Sequence, residues 1–478
     1  MPRNDLPDDI NPSSANAGHT AVFDIGKSSM KLLVCSAETH RVELFASAPN
    51  TVVTTAPYPH FNVEGMWHWL MDHLSRVARR YDIRAVIPVT HGATAALMSG
   101  TQLAMPVLDY EYEAPFANDE GQTYRALRPQ FASTFSPALP CGLNLGRQLW
   151  WQASRFPGDF ARVDRILFYP QYWAWRLSGE MASEVTSIGC HTDLWRPAQS
   201  DWSTLVERQG WRRLFPERRR AGETLGTITP EVAERTGLEP STKVLNGLHD
   251  SNASYYRHLS HYGDRPFSVL STGTWVIAMG GAAPLHSLDE HRDCLANVDV
   301  HGKPIPCARF MGGREYEALL TSFHNLAGTD VPVATAVRTL IEQNTFALPS
   351  FAPTSGPFAQ QSGKIQGPAP RSHAEAAALA ALYLALMSDT CLTLIGSAGD
   401  IRIEGKLGAD TTFLSILAAL RPQQTIFVTD DASGTAVGAA LLVTGLGRYK
   451  EVTHRAPPGD LPGLSNYAAT WRALATQR

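Results

Sequence analysis

The chain has 478 residues, of which 44% are apolar and 18% are charged, and its formal net charge at pH 7 is -4. This is the composition of a folded globular protein, and the balance of charge argues against a general electrostatic attraction to nucleic acid or anionic membranes. The length exceeds what one compact core holds, so we expect two domains of roughly 200 residues each.

Three features of the sequence bear on the cellular location of the protein: its N-terminus, its cysteines and its longest apolar stretch. Residues 1–19 are polar and lack the pattern of a signal sequence, so we expect a disordered tail. The six cysteines show no CxxC pair and no zinc spacing. The apolar stretch at residues 374–395 is rich in alanine and contains Glu375 and Asp389, which favours a buried helix over a membrane span. We expect a cytoplasmic protein that binds neither membrane nor nucleic acid.

The first element along the chain is a strand, a polar turn and a second strand. An apolar run from residue 21 ends at Asp24, and a second run begins at Met30. A glycine in the turn is expected to adopt positive φ, so that amides and hydroxyls converge on an anion. Asp24 would then contact a magnesium ion through water, although an Asx turn is an equally good interpretation. The candidate phosphate ligands are Gly26, Lys27, Ser28, Ser29 and Lys31.

The next segments suggest a small-molecule site. Residues 67–80 have the spacing of an amphipathic helix, and residues 84–89 form an apolar strand. Because Pro88 cannot donate to a ladder, we expect this strand to lie at an edge or to end there. His91 and Gly92 follow at the strand end, where a histidine could bind a sugar hydroxyl, although a lone histidine is more often structural. Residues 109–143 lack periodicity and are predicted to form a long loop over a pocket.

The second half of the chain repeats the strand and turn theme. Trp150 could stack on a sugar ring, although such aromatic clusters more often form core. Asp250 stands at a strand end where a helix begins, as an N-cap or as a general base. A second hairpin follows, with the turn Thr272, Gly273 and Thr274. Two such hairpins, one in each half, predict an α/β protein whose paired domains hold the phosphates of a nucleotide, with a break at residues 259–266.

Four segments resemble motifs of the FGGY carbohydrate kinases. Residues 24–31 are similar to the first phosphate motif of the family, and residues 247–253 to its catalytic-aspartate segment. Residues 270–275 resemble its second phosphate motif, especially in the rhamnulokinase and fuculokinase branch, and residues 172–180 resemble a helix end of the family. The motifs occur in the order and near the spacing of the family.

The resemblance implies two actin-like (ribonuclease H-like) domains, residues 20–260 and 261–478, with an active-site cleft between them. It implies transfer of the ATP γ-phosphate to a ketose or related polyol, with Mg²⁺ as cofactor. Apart from the resemblance, a homodimer is the default expectation for the assembly. Asp250 would be the general base and would share the metal with Asp24. The sugar would contact His91, Gly92, Trp150, Asn252 and Asp250, and the nucleotide would contact both hairpins, Gly405 and Gly434.

Three departures from the family pattern keep other functions open. Lys27 replaces a threonine and adds a charge beside the phosphates, and Gln171 stands where many members have aspartate. Glu404 adds bulk and charge to the loop that approaches adenine. A sugar-binding sensor without catalysis and an actin-like ATPase switch are therefore the alternatives to a sugar kinase.

Overall fold

The computed structural model describes residues 18–113, 119–324, 326, 333–352, 355–429, 434–445, 453–457 and 459–477. Most of the predicted N-terminal tail lies outside these residues. His19 does not belong to a tail, because it opens the first strand of the fold.

A seven-stranded sheet forms the first half of the molecule, with the order β5-β6-β4-β1-β2-β3 and a short β7 that pairs with β4. Strands β1 and β4 are buried on both faces, which explains their continuous apolar sequences, whereas no residue of edge strand β3 is buried. The strands are β1 His19–Ile25, β2 Ser29–Ser36, β3 Val42–Pro49, β4 Ile83–Thr90, β5 Thr224–Thr227, β6 Lys243–Leu245 and β7 Leu248–His249.

A second seven-stranded sheet follows, with the order β10-β11-β9-β8-β12-β13-β14. Its strands are β8 Phe267–Thr272, β9 Val276–Gly280, β10 Cys294–Val298, β11 Pro304–Phe310, β12 Asp400–Gly405, β13 Ile426–Thr429 and β14 Thr453–Arg455.

The two sheets share a five-strand core. In the first, β3, β2 and β1 are antiparallel neighbours, and β4 and β6 continue the sheet in parallel. In the second, β11, β9 and β8 are antiparallel, and β12 and β13 continue in parallel. This repetition is the arrangement expected of two actin-like domains, and each sheet adds further strands to the expected five.

The strand containing Pro88 was predicted to lie at an edge or to end there. The first alternative is wrong, because β4 is central, between β1 and the pair β6 and β7, and the strand continues past the proline to its end at Thr90. The neighbouring strand is interrupted opposite the proline: β6 pairs with Ala85 and Val86, and β7 pairs with Val89 and Thr90. The interruption contains Gly247, where an added Cβ would lie 2.3 Å from the Pro88 carbonyl oxygen. A proline is tolerated here because the ladder is already broken beside it.

The helices cover the faces of both sheets. They are α1 Val63–Ala78, α2 Asp119–Leu127, α3 Phe131–Thr134, α4 Leu145–Arg155, α5 Pro157–Phe160, α6 Tyr169–Ser178, α7 Val185–Ile188, α8 Thr204–Arg208, α9 Pro230–Thr236, α10 Asp250–Tyr262, α11 Gly312–Thr321, α12 Val333–Glu342, α13 His373–Leu394, α14 Thr411–Leu420, α15 Gly434–Thr444 and α16 Leu464–Thr476. Short two- and three-stranded sheets complete the fold: Val52–Val53 with His60–Phe61, Ala95–Ser99 with Gln102–Leu103 and Arg165–Phe168, Trp195–Arg196 with Asp201–Trp202, and Phe346–Leu348 with Lys364–Gln366. Helices α2 and α3 occupy part of the segment that was predicted to be a loop.

Helix α13 is the centre of the second half. Among the described residues it is the one helix long and apolar enough to cross a membrane, but 83% of its apolar window is buried inside the protein. It packs against α11, α12, α14 and the second sheet. The apolar residues that favour a buried helix in the sequence therefore form core.

Helix α15 joins the two halves, because it belongs to the second half of the chain but packs on the first sheet. Its Val437 and Leu441 share an apolar cluster with Val22 and Ile87. The contact with α10 is close, since an added Cβ at Gly438 would lie 1.8 Å from a carbonyl oxygen of that helix.

Candidate active site

Three neighbouring parallel strands bring polar side chains to one edge of the first sheet. Ile25 of β1 and His249 of β7 both pair with Thr90 of β4, so the three strands end at the same level. The His91 amide donates to the Ile25 carbonyl at 2.9 Å and fixes this edge. The carboxyl ends of parallel strands are where α/β folds place ligands. Asp24, His91 and Asp250 converge there, as the sequence predicted.

Asp24 is a mostly buried carboxylate close to a second one. Burial, together with the charge of Asp250, raises the pKa of Asp24 to about 6, against the opposing effect of Lys31. The Lys31 ammonium lies 3.9 Å from Asp24 Oδ2. The two residues face each other across the first hairpin, where Asp24 pairs with Lys31 in the ladder. A carboxylate in this environment is stabilised by a cation.

Asp250 is the first residue of α10 and has one oxygen held and one open. Its Oδ1 accepts hydrogen bonds from the Ser251 amide at 2.5 Å and the Ser251 hydroxyl at 3.1 Å. His249 Nε2 lies 3.2 Å from the same oxygen. Among the described residues Oδ2 has no hydrogen-bond donor. The held oxygen orients the carboxylate and leaves Oδ2 to accept a proton.

His91 is neutral and presents a hydrogen-bond acceptor. Burial lowers its pKa to about 4. Its Nδ1 lies 2.8 Å from the Gly92 carbonyl oxygen, which can only accept, so the proton of the neutral ring is on Nδ1. Nε2 is buried and has no partner among the described residues. A hydroxyl that donates to Nε2 would satisfy it.

A thiol and an imidazole lie beside Asp250. Cys190 Sγ is 3.4 Å from His249 Nε2. Burial opposes ionisation of both groups. The neighbouring His191 and His249 outweigh it and lower the pKa of Cys190, and Cys190 and Asp250 outweigh it and raise the pKa of His249. Gly92 gives them room, because a Cβ there would lie 2.8 Å from Cys190 Sγ.

The turn of the first hairpin has a glycine without a side chain and two serine hydroxyls that could bind an anion. Neither Gly26 nor Gly273 of the second hairpin has positive φ, which corrects the expectation for both turns. Each turn is closed instead by a backbone hydrogen bond, from Gly26 to Ser29 and from Gly273 to Trp275, both at 2.9 Å. The Ser28 and Ser29 hydroxyls have no partner among the described residues, so they remain available to phosphate oxygens.

The Lys27 ammonium is held by acidic side chains of the segment that contains Asp109. Its ammonium forms an ion pair with Asp109 and lies 3.3 Å from Glu111 Oε2. It also lies 5.2 Å from the ring centroids of Phe61 and Tyr110. The added charge of this departure is therefore compensated within the chain.

The Thr272 hydroxyl of the second hairpin forms two hydrogen bonds to the neighbouring loop around Gly405. It donates to the Glu404 carbonyl at 2.6 Å and accepts from the Leu407 amide at 3.0 Å. The contact requires glycine at residue 405, where φ is +84° and a Cβ would lie 2.0 Å from the Thr272 carbonyl oxygen. Thr272 thus fixes the Gly405 loop to the hairpin, and the exposed Gly273 and Thr274 remain to contact a ligand.

Two cavities border the second hairpin. One of about 580 Å³ is lined by the hairpin turn, the start of α11 at Gly312 and Gly313, and residues 406–410. The other, of about 370 Å³, extends from Asp250 and Ser251 to Gly405 and Gly434. Gly434 is required for its shape, since a Cβ there would lie 2.7 Å from Arg257 Nη2. The smaller cavity therefore extends from Asp250 to residues of the second half of the chain.

Glu404 does not enter the space beside the loop as an unpaired charge, which corrects the expectation for this residue. Its buried carboxylate forms an ion pair with Arg257 of α10. It also lies 2.6 Å from His258 Nε2 and accepts from Ser254 at 2.7 Å. Burial opposes its ionisation, but these partners outweigh it and hold the pKa of Glu404 well below its usual value.

Comparison with known proteins identifies the fold family. Residues 141–256 match the N-terminal domain of the FGGY family of carbohydrate kinases, and residues 264–452 match its C-terminal domain. The solved structure of a carbohydrate kinase from Novosphingobium aromaticivorans is 38% identical, with a TM-score of 0.88, and the match covers 96% of this chain and 99% of that one. The chain belongs to the FGGY family of carbohydrate kinases.

More distant FGGY proteins agree with this placement. A xylulose kinase from Rhodospirillum rubrum has the same fold, with a TM-score of 0.77 at 16% identity over 96% of this chain and 98% of that one. An L-fuculokinase of Salmonella typhi is 27% identical over 45% of this chain and 47% of that protein. A rhamnulokinase of Bacteroides thetaiotaomicron is 25% identical over 48% of this chain and 47% of that protein. The chain thus spans about half the length of the curated relatives it matches.

Two residues predicted to contact sugar, Trp150 and Asn252, make contacts within the protein. Trp150 packs in an aromatic cluster with Tyr124, at 5.8 Å between ring centroids. The Asn252 amide donates to the Val298 carbonyl, and its Oδ1 is 2.7 Å from His249 Nδ1. Asn252 therefore orients the His249 ring through Nδ1, while Nε2 of that ring lies near Asp250.

Several residues of the site were missed in the sequence. Asp109, Tyr110, Cys190 and His249 lie within it, but Cys190 and His249 are 59 positions apart and Lys27 and Asp109 are 82 apart. His249 had a signal, since it precedes Asp250 at a strand end, and Asp109 and Tyr110 belong to the segment 109–143 that was predicted to lie over a pocket. Gln171, the third departure from the FGGY pattern, donates to the Asn246 and Gly247 carbonyls at 3.0 and 3.2 Å and so supports the turn before Asp250.

Proposed function

We propose that the protein is an ATP- and Mg²⁺-dependent sugar kinase that acts on a ketose or related polyol, with Asp250 as general base. The observation that carries this proposal is the convergence of Asp24, His91 and Asp250 at one sheet edge beside the second hairpin. The names of the L-fuculokinase and rhamnulokinase relatives favour a deoxy-ketohexose as substrate.

The sugar hydroxyl oxygen attacks the γ-phosphorus of ATP, and the bond from that phosphorus to the β,γ-bridging oxygen breaks to release ADP. Asp250 Oδ2 accepts the hydroxyl proton, since Oδ1 is held by Ser251. His91 Nε2 accepts a hydrogen bond from a second hydroxyl. The amides of the two hairpins, with Ser28, Ser29 and Thr274, donate to the phosphate oxygens as charge develops on them.

The chain supplies a suitable pair of ligands for Mg²⁺. No group of three or more His, Cys, Asp or Glu side chains able to hold a metal occurs in the described part of the chain. Asp24 and Asp250 are close enough for the charge of one to raise the pKa of the other. Mg²⁺ fits this pair because it takes one or two carboxylates and completes its shell with water and phosphate oxygens. When bound, the ion neutralises phosphate charge.

The nucleotide is assigned to the cavity of about 580 Å³ beside the second hairpin. The exposed turn residues Gly273 and Thr274 face it, and the N-terminus of α11 opens into it. Phosphates are stabilised by backbone amides at such a position. Closure of the two halves would exclude water, which otherwise competes as acceptor.

The test is ADP release with ATP and Mg²⁺ across L-fuculose, L-rhamnulose, xylulose, glycerol and gluconate. We expect turnover with a ketose, and we expect Asp250→Asn to reduce kcat at least 1,000-fold because the proton acceptor is lost, a change of about 4 kcal/mol in the barrier. Asp264→Asn, at a fully exposed carboxylate, is the matched control. Equal turnover by Asp250→Asn in a folded protein contradicts the assignment.

Two other outcomes would identify the alternative functions. Sugar binding by calorimetry without turnover under any nucleotide indicates a sensor. ATP hydrolysis at a rate that does not depend on sugar, coupled to assembly with a partner or into a filament, indicates an ATPase switch.

A further inference from the structure

Lys27 belongs to the first hairpin, but its ammonium contacts residues outside that hairpin. The ion pair with Asp109 ties it to the segment that follows β4, and its side chain is only 22% exposed. Lys31 of the same hairpin is different, since it lies beside Asp24 and is 42% exposed. The hairpin therefore sends one cation toward Asp24 and the other across to Asp109.

Aromatic rings connect Lys27 to the sugar-binding histidine. The rings of Phe61 and Tyr110 each lie 5.2 Å from the Lys27 ammonium. The same two rings lie 5.4 and 5.2 Å from the ring of His91, whose Nε2 lacks a partner. Lys27 and His91 thus share one aromatic wall.

Lys27 and Asp109 have hydrogen-bonding capacity left over. The ammonium has three N–H groups, and the described contacts use two of them, to Asp109 Oδ1 and Glu111 Oε2. Asp109 Oδ1 also accepts from the Glu111 amide at 3.2 Å, whereas Oδ2 has no donor among the described residues. One donor and one acceptor side by side match two adjacent hydroxyls of a sugar.

We propose that Lys27 and Asp109 together bind adjacent hydroxyls of the sugar, and that Lys27 determines sugar specificity instead of binding nucleotide phosphate. This inference rests on the proposed sugar site at Asp250. Lys27, Asp109 and Glu111 carry a summed charge of -1, and Asp250 adds another negative charge beyond the aromatic wall. The site therefore selects a neutral ketose or polyol and rejects an aldonate, whose carboxylate would be repelled.

The experiment compares four variants using the sugar that the wild-type protein turns over. Lys27→Met keeps the aliphatic stem against Phe61 and Tyr110 but removes the donors, so we expect a sugar KM at least tenfold higher and an ATP KM within twofold of wild type. Lys27→Arg should recover most of the sugar affinity. Lys31→Met is the matched control and should raise the ATP KM instead. Thermal unfolding checks that each variant is folded.

The fourth variant separates binding from charge balance. Lys27→Met combined with Asp109→Asn removes both charges, and its sugar KM should stay at least as high as that of Lys27→Met alone. A wild-type sugar KM in this double variant would overturn the proposal, because Lys27 would then act only by neutralising Asp109. A Lys27→Met variant with a raised ATP KM and an unchanged sugar KM would overturn it as well.

Failure of the proposed kinase function gives a different result. If wild-type protein binds sugar without turnover, the same comparison is made with the dissociation constant from calorimetry, and a tenfold weaker binding by Lys27→Met still supports the inference. If it binds no sugar, both proposals fail. Gluconate that competes more strongly than a neutral ketose would overturn the charge argument alone.

Discussion

At the scale of single residues, glycine positions show which close contacts the site requires. The two hairpin glycines leave space at a turn without positive φ, whereas Gly405 combines positive φ with a backbone contact to Thr272. The consequence is that the loop holding Glu404 and the second hairpin are fixed to each other. In this site the requirement for glycine is therefore stricter at Gly405, in the loop that packs against the second hairpin, than at Gly26 or Gly273 in the hairpin turns.

We predict that Gly405→Ala lowers the free energy of unfolding by more than about 2 kcal/mol, since left-handed φ and the contact with the Thr272 carbonyl are both unfavourable. Denaturant titration measures this. Gly210→Ala has φ of +65° with nothing within 4 Å, so its loss should be about 1 kcal/mol. Equal losses for the two variants would mean that the contact with Thr272 has no cost.

At the scale of elements, the ion pair between Glu404 and Arg257 connects strand β12 to helix α10. The helix begins at Asp250 and ends at Tyr262, so the same element carries the proposed base and the partners of Glu404. The Arg257 side chain is fully buried and that of Glu404 is 12% exposed. A buried pair of this kind is costly to break from one side.

We expect Glu404→Ala to destabilise the protein by about 3 kcal/mol at pH 7, since the buried guanidinium loses this carboxylate. The pKa of Glu404 is lowered in the folded state, so its contribution is present above pH 4.5 and is lost as pH falls toward the folded pKa. Urea denaturation at pH 7 measures the loss. Glu207→Ala, at a 60% exposed carboxylate paired with Arg212, should change stability by less than about 1 kcal/mol.

Elements with a local signal were predictable from the sequence. The helix expected at residues 67–80 is α1, Val63–Ala78, and both hairpins are present where the turns indicated. Position at a strand end also predicted Asp24, His91 and Asp250. What the sequence did not reveal depends on residues far apart in the chain: Pro88 is central because its neighbour breaks beside it, and the Lys27 ammonium forms an ion pair with Asp109. Periodicity and turn residues carry no information on such pairs.

At the scale of the whole molecule, the second half depends on the core around α13. Glu315 is buried in this core, where its Oε2 accepts from the Tyr383 hydroxyl and from the Phe351 amide at 3.1 Å. Burial raises the pKa of Glu315 to about 7 despite these donors. The carboxyl group is therefore protonated more readily in the folded than in the unfolded protein.

We predict that the stabilising contribution of Glu315 is fully present below pH 4.5, the value of the unfolded chain, and is lost as pH rises through about 7. Glu315→Gln should remove a pH-dependent term of about 3 kcal/mol, because it keeps a neutral group at this position. Denaturation curves at pH 5.5, 7 and 8.5 test this. Parallel pH profiles for wild type and variant would contradict it, and Glu342→Gln, on the exposed face of α12, is the control.

The position of α15 affects when the first sheet can complete its folding during synthesis. The apolar face of the first sheet that includes Val22 and Ile87 is covered by a helix that ends at Thr444. During synthesis that face stays open until the chain has been made through Thr444, although its strands were made first. A fragment that stops before α15 would therefore expose the apolar face of the first sheet. It would be prone to aggregate and would depend on chaperones even if all strands of that sheet had formed.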